Sequence, residues 1–94
     1  MKITNLIWLD EIVDKIESKH GVVPTEVEEV FSHRPKIRKM RKGRFHGEDV
    51  YRALGQTVNG RYLVVFFIYK RTGDALILSA RDMDRKERRN YASK

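Results

Sequence analysis

Apolar side chains recur at helical spacing in the first third of the chain. Such a stripe predicts a helix over residues 10–20, with Asp10 as its cap and Gly21 as its stop. The stripe consists of Leu9, Ile12, Val13 and Ile16. Behind Pro24, residues 25–28 form a capping-box pattern led by Thr25, which predicts a second, short helix. Its apolar face consists of Val27, Val30 and Phe31.

From residue 48 the apolar period changes to two, which predicts strands. The first strand covers residues 48–57, and Asn59-Gly60 then supplies the two left-handed positions of a tight hairpin turn. The next strand, Tyr62–Tyr69, is apolar on both faces, so we expect it to be central and covered on both sides. Its aromatic residues Phe66, Phe67 and Tyr69 are therefore interpreted as core.

A further strand and a helix complete the pattern. Ala75–Ala80 predicts the strand, and a capping box at Asp84 and Glu87 predicts a helix through about Ala92. Strict alternation assigns Leu76 and Leu78 to one face of the strand, and Ile77, Ser79 and Arg81 to the other.

These elements predict an α+β fold, with two N-terminal helices on an antiparallel three- to four-stranded β-meander and a short C-terminal helix. Ile3–Trp8 is the candidate for the fourth strand. A chain of 94 residues is expected to form one domain, residues 1–94. No stretch approaches the roughly 20 apolar residues of a membrane helix, and no signal-peptide pattern opens the chain. We therefore expect a soluble, cytoplasmic protein without membrane contact.

Charge is divided unevenly along the chain. Overall, 20 Lys and Arg oppose 13 Asp and Glu, but residues 1–33 are acidic and residues 34–94 strongly basic. A basic surface concentrates polyanions, so a nucleic acid is the expected partner, with an acidic protein second. The alternative is a basic face that only aids solubility. The densest run is interpreted as binding RNA through its backbone: Lys36, Arg38, Lys39, Arg41, Lys42 and Arg44.

Several enzyme classes have no support in the sequence. There is no Cys, no Gly-rich nucleotide loop, no zincin motif and no nucleophile elbow, so we predict neither a cofactor nor a metal. Acid-base chemistry on a phosphodiester remains open. RNA is cut without metal when its own 2′-OH attacks the adjacent phosphate, aided by a base, an acid and cations.

Seven positions are candidates for that chemistry, each with a structural alternative. Arg81 could hold a phosphate or pair with an acid such as Asp82. Tyr91 could donate a proton or pack against the sheet. Lys19 and His20 could be catalytic or could cap the first helix. Three more candidates could be functional or simply exposed at the surface or hairpin edge: Arg61, His46 and Glu48.

Four blocks in order resemble the BrnT family of toxins. They are Lys19–Val22, Glu28–Phe31, GEDVYRALGQTVNGRYLVVFF from residue 47, and LILSARDMDRKERRNY from residue 76. The resemblance spans about Trp8 to Tyr91 and implies a RelE-like fold. It also implies a type II toxin that cleaves RNA and arrests translation. Its antitoxin would be BrnA-like, a ribbon-helix-helix protein, and the toxin would reach DNA only through the antitoxin complex.

The family's shared polar positions can be carried onto this chain. They are Lys19, His20, Glu48, Arg61, Arg81, Glu87, Arg88 and Tyr91. By this resemblance we interpret Arg61, Arg81 and Arg88 as binding phosphate. The base would be Glu48 or His20, and the acid Tyr91 or Lys19. Two alternatives stay open: a non-catalytic module that binds RNA or DNA, and a scaffold that acts with its antitoxin as a co-repressor.

Overall fold

A computed structural model describes residues 1–43 and 48–93 as three helices and a five-stranded sheet. The elements are β1 (Asn5–Ile7), α1 (Asp10–His20), α2 (Pro24–Ser32), β2 (Lys36–Arg41), β3 (Val50–Gln56), β4 (Tyr62–Tyr69), β5 (Asp74–Asp82) and α3 (Arg85–Ala92). The sheet order is β1-β5-β4-β3-β2, and each pair is antiparallel except β1 with β5, which is parallel. None of the described helices is long and apolar enough to span a bilayer.

The predicted α+β class is confirmed, but three to four strands were too few. The basic segment forms edge strand β2, whose side chains are mostly exposed. An edge strand needs little apolar sequence, so this one gave only a weak strand signal. At the other edge, β1 occupies three residues of the predicted Ile3–Trp8 segment.

Helices α1 and α2 cover one side of the sheet, which we call the helix face. The core between them joins Ile16, Val27 and Val30 of the helices to Val65, Phe67 and Ile77 of β4 and β5. Ring contacts extend it, since Phe31 meets Phe67 edge-on at a centroid distance of 5.3 Å. Burying this apolar layer is the main contribution to stability in a chain without disulfides.

The opposite side of the sheet, the open face, is only partly covered. Helix α3 lies over one end of it, where Leu54, Val64 and Met83 form a small core against Tyr62 and Tyr91. Phe66 and Ile68, further along β4, are only partly buried. The prediction that β4 is covered on both sides is therefore wrong for this half of the strand, because α3 is too short to cover it.

A β-bulge at Leu78 changes the faces of β5. Phe66 pairs with Ser79 while Phe67 pairs with Ile77, so Leu78 has no cross-strand partner. Ile77 packs in the helix-face core, whereas Ser79 and Arg81 lie on the open face. The predicted common face of these three residues is wrong, because a bulge inserts one residue and reverses the alternation beyond it.

The capping residues predicted for the two N-terminal helices are wrong, whereas the predicted stop of the first helix is correct. The N-cap of α1 is Leu9, and Asp10 lies in the first turn, where a carboxylate favours the helix dipole. Helix α2 begins at Pro24, and Glu26 accepts the Val23 amide at 3.1 Å, so Thr25 is not its cap. The stop at Gly21 (φ 61°) is confirmed.

The β3–β4 turn is one residue longer than predicted. The Thr57 amide donates to the Arg61 carbonyl at 2.9 Å, and the Gly60 amide donates to the Thr57 carbonyl at 2.9 Å. Gly60 has φ 88°, but Asn59 is not left-handed. A three-residue loop needs one left-handed residue, while the predicted two-residue loop needs two.

The close packing of α2 on β3 can be tested by substitution. A Cβ added at Gly55 would stand 2.9 Å from Cγ1 of the fully buried Val30. We expect Gly55→Ala to lower the free energy of unfolding by about 1–3 kcal/mol through overpacking. The measurement is chemical denaturation. In a chain that already carries Val30→Ala, Gly55→Ala should lower the free energy of unfolding by less. If the effects of the two substitutions on the free energy of unfolding were strictly additive, this contact would be contradicted.

Candidate nucleic-acid interface

The strand register aligns side chains of neighbouring strands in rows across the open face. Ser79 pairs with Phe66, Phe66 with Arg52, and Arg52 with Arg38, so four neighbouring strands contribute side chains at one level. The next row toward α3 consists of Arg81, Val64, Leu54 and Lys36. Cations thus flank an aromatic ring on a sheet surface, an arrangement typical of single-stranded RNA binding.

Arg81 is fixed at the junction of this face with α3. Its Nη1 and Nη2 donate to the two carboxylate oxygens of Glu87 at 2.8 and 2.9 Å, and Nη1 also donates to the Asp82 carbonyl at 3.1 Å. Its Cζ lies 5.5 Å from the centroid of the Phe66 ring. An ion pair was the structural alternative for Arg81, but the acid is Glu87, and Asp82 offers only its backbone oxygen.

Glu87 is held on three sides. It accepts from Arg81, it accepts the Asp84 amide at 2.9 Å, and its own amide donates to the Asp84 side chain at 2.7 Å. Burial alone would raise the pKa of the Glu87 carboxyl, but the hydrogen bonds from Arg81 and the Asp84 amide outweigh burial and lower the pKa. The hydrogen bond to Glu87 likewise raises the pKa of Arg81. The predicted capping box of α3 is confirmed.

The Arg81 guanidinium has N–H groups that its contacts with Glu87 and Asp82 do not use. A guanidinium carries five N–H groups, and the contacts to Glu87 and Asp82 use three. Nε and the second N–H of Nη2 have no acceptor among residues 1–43 and 48–93, and together they form the side edge of the fork. The side chain is 34% exposed. Arg81 can therefore hold Glu87 with one edge and an oxyanion with another.

Tyr91 and Arg88 lie on α3 around Tyr62. Tyr91 meets the Tyr62 ring edge-on at 6.0 Å and packs on the small core of the open face. The Arg88 guanidinium lies 4.1 Å from the centroid of the Tyr62 ring. Tyr91 also follows Glu87 by one helical turn, so both lie on the sheet-facing side of α3. The structure thus brings Arg81, Arg88 and Tyr91 to one end of the sheet.

Arg61 joins three elements at that same end. It donates to both Asp82 oxygens at 2.7 and 3.0 Å and to the carbonyls of Gly21 and His20 at 2.8 and 2.9 Å. Glu26 lies 3.2 Å from it. The Asp82 hydrogen bond raises the pKa of Arg61, and the same bond lowers the pKa of Asp82. These contacts tie the end of α1 and the start of α2 to β5.

The two remaining catalytic candidates of α1 differ in surroundings. His20 is half-buried near Asp82, and Lys19 is exposed on the last turn of the helix. Both belong to the last turn of α1, whose end Arg61 holds through the His20 carbonyl. Their place in the last turn also fits the favourable interaction of cations with a helix C-terminus.

Glu48 lies at the opposite end of the sheet. It pairs with Lys70, just after β4, at 3.1 Å, whereas Arg61 lies just before β4. The strand between them separates the two ends by about 30 Å at 3.4 Å per residue. Glu48 and Arg61 therefore cannot contact the same phosphate in this fold.

The basic run is divided by its contacts. Lys36 donates to the carbonyls of Asn90 and Ser93 at 2.6 and 2.7 Å, so it caps the end of α3. Lys39 pairs with Asp49 at 3.1 Å, whereas Arg38, Arg41 and Lys42 are exposed. Arg44 and His46 lie outside the described residues.

Two residues of this surface were missed by sequence reasoning. Arg52 was not singled out, although its spacing from Val50 and Leu54 assigns it to their face. Phe66 was interpreted as core, and its partial exposure follows from the short reach of α3, which local sequence does not reveal.

Comparison with known proteins identifies one family. A family model described as "Ribonuclease toxin, BrnT, of type II toxin-antitoxin system" matches residues 8–87. The matched range includes His20, Arg61, Arg81 and Glu87, and it ends before Arg88 and Tyr91. No curated protein matches the chain.

The contacts of Arg61 predict a large loss of stability even for a substitution that keeps the positive charge. Arg61→Lys removes the fork that bridges Asp82 to the carbonyls of α1, so we expect a loss of about 1–3 kcal/mol. Thermal unfolding should shift down by about 4–8 °C for each kcal/mol lost. Arg71→Lys, on an exposed turn, is the matched control. An unchanged midpoint for Arg61→Lys would argue against these contacts as a structural tie.

The lowered pKa of Glu87 predicts that part of the stability of the fold is lost at acid pH. Since its folded pKa lies below the ordinary 4.5, its ionised form stabilises the fold above that value, and the contribution is lost as pH falls through the folded pKa. We expect Glu87→Gln to cost about 1–3 kcal/mol at neutral pH, with the difference from wild type shrinking below about pH 4. Urea unfolding across pH measures it. Glu17→Gln, on the exposed side of α1, should give no such profile. A pH-independent difference for Glu87→Gln would contradict the assignment.

Proposed function

The chain belongs to the BrnT family of ribonuclease toxins of type II toxin-antitoxin systems, and we propose that it cuts RNA on its open face without a metal ion. In this reaction the 2′-OH attacks the adjacent phosphorus while the 5′-oxygen leaves. A base takes the proton of the 2′-OH, and an acid protonates the 5′-oxygen. The phosphorane between these steps carries extra negative charge, which cations stabilise.

The observation that carries the proposal is the unfilled edge of Arg81. Its Nε group and the second N–H of Nη2 have no acceptor among the described residues, while Glu87 fixes the guanidinium through Nη1 and Nη2. A cation that is already oriented loses little freedom when it binds a phosphate. We therefore assign Arg81 to the scissile phosphate, and Arg88, which follows Glu87 on α3, to a neighbouring phosphate.

The proton-transfer roles are assigned by position. Tyr91, one turn beyond Glu87, is our proposal for the acid. His20 is our proposal for the base: it lies near Asp82 at the same end of the sheet, but on the helix face, so the RNA would have to reach it around that end. An imidazole ring nitrogen can accept a proton from a hydroxyl group, which suits this role. Glu48 is less suitable as a base for this phosphate because it lies at the far end of the sheet with Lys70. Arg61 serves by holding His20 and Asp82, and Lys19 remains a second candidate for the acid.

The biological setting follows from the family. A type II system pairs the toxin with a protein antitoxin, and we propose a BrnA-like ribbon-helix-helix protein for that role. RNA cleavage in the cytoplasm would then inhibit translation, and DNA would be contacted only through the antitoxin complex.

A non-catalytic RNA-binding role is the second candidate. The observation that favours it is that the candidate catalytic residues are dispersed: Arg61 is engaged in structural contacts, and Glu48 lies at the opposite end of the sheet. A scaffold that acts with its antitoxin as a co-repressor would share this property.

The test compares wild type with Arg81→Ala and Arg81→Lys, using RNA in excess chelator. We expect wild type to cut RNA and arrest growth when expressed, and Arg81→Ala to lose about 10²–10³-fold in kcat/KM, the magnitude of one oxyanion contact. Arg81→Lys keeps the charge without the fork and should recover only part of the activity.

Arg71→Ala removes a cation from an exposed turn and serves as the control for net charge. Circular dichroism must show that each variant is folded, because Arg81 also binds Glu87. If wild type binds RNA without cutting it, with and without ribosomes, the non-catalytic alternative replaces the proposal. Cleavage that stops in chelator would refute metal independence.

A further inference from the structure

We propose that Arg52 and Arg38 form a second phosphate-binding subsite, separate from Arg81, for the backbone of single-stranded RNA. The inference rests on the proposed RNA-directed function and adds a binding residue, Arg52, that neither the basic run nor the family resemblance identified. Its basis is a small cavity between β2, β3 and the end of α3. The cavity has a volume of about 190 Å³ and is lined by Lys36, Ile37, Arg38, Arg52, Leu54 and Asn90.

The cavity brings like charges together. Arg38 and Arg52 are directly opposed across the β2–β3 pair, and like charges in that position destabilise a sheet. Neither has an acidic partner among the residues that the structure describes. An anion between the two guanidinium groups would turn this repulsion into attraction.

A buried donor gives an independent indication. Nε of Arg52 is buried without a hydrogen-bond acceptor in the described part of the chain. A buried polar group without a partner costs free energy, and the penalty is larger when the group is charged. Arg52 lines the cavity, so a phosphate oxygen there would supply the missing acceptor through a charge-assisted hydrogen bond once the side chain turns Nε toward it.

The wall of the cavity is held in place. Lys36 reaches over the end of α3 to the carbonyls of Asn90 and Ser93, which positions Asn90 beside the two arginines. Since Lys36 is engaged in this way, the anion is left to Arg38, Arg52 and Asn90. The preformed wall lowers the ordering cost of binding.

Size and position favour one phosphate of an RNA strand. The cavity is smaller than the roughly 300–1,000 Å³ of pockets that enclose a whole small-molecule ligand. From the register, the Cα atoms of Arg52 and Arg81 are about 12 Å apart, using 4.8 Å between strands and 3.4 Å per residue. Phe66 lies between them on β4. An RNA strand can therefore place one phosphate at Arg81, another at Arg52 and a base near the ring.

The first experiment measures binding without turnover. Fluorescence anisotropy follows a single-stranded RNA whose 2′-OH groups are all methylated, over a series of salt concentrations. We expect Arg52→Gln to weaken binding roughly tenfold and to reduce the slope of log affinity against log salt by about 0.7, the contribution of one phosphate contact. Arg71→Gln carries the same charge change on an exposed turn and should leave the slope unchanged.

Arg52→Gln should not unfold the protein, since it removes a like-charge contact and an unsatisfied donor. Its thermal midpoint is expected to equal or exceed that of wild type. Arg52→Lys keeps the positive charge but lacks the planar guanidinium. The slope of log affinity against log salt should therefore lie closer to the wild-type value than the affinity itself does. A slope for Arg52→Gln equal to that of wild type, or the same decrease for Arg71→Gln, would overturn the subsite.

Nuclear magnetic resonance provides a direct test at the atom concerned. On titration with inorganic phosphate, the Nε–H resonance of Arg52 should shift and saturate, while that of Arg71 should not saturate. Arg52→Gln assigns the resonance by removing it. Equal, unsaturated shifts at both arginines would refute the subsite. Because neither measurement involves cleavage, a wild type that fails to cut RNA would refute the proposed activity and leave the subsite standing.

Discussion

The bidentate ion pair between Arg81 and Glu87 is the contact on which the arrangement of the open face depends. It links the end of β5 to the first turn of α3, and the capping box of Asp84 fixes Glu87 from the other side. A buried carboxylate is costly unless it is paired and hydrogen-bonded, and here both conditions are met. The position of α3 then decides which part of the sheet is core and which part is exposed to a ligand.

The two faces of the sheet separate stability from binding. Under α1 and α2 the sheet buries an apolar layer, while on the other side it presents arginines around Phe66. The uneven charge of the chain follows this division, because seven of the 13 acids belong to α1 and α2, whereas 17 of the 20 Lys and Arg lie in residues 34–94. Arg61 connects the two halves through Glu26 of α2 and Asp82 of β5.

Sequence periodicity predicted the elements well and their partners poorly. Both N-terminal helices, β4 and α3 follow from local patterns, since their apolar spacing and caps depend on neighbouring residues. The bulge at Leu78, the edge position of β2 and the partial cover over Phe66 depend on which strands meet, and that is decided by distant residues. The candidate site followed the same rule: Arg81 and Glu87 were both singled out, but their pairing depends on how α3 packs on the sheet, and Arg52 required the strand register.

The bulge in β5 has a consequence for how this protein can change over generations. One extra residue sets the direction of every side chain beyond it, so Arg81 lies on the open face while Asp82 turns to Arg61 on the other side. A deletion at Leu78 would exchange these two positions at once, and no single substitution could restore them. Inherited changes in the length of this strand should therefore be eliminated, whatever side chains accompany them.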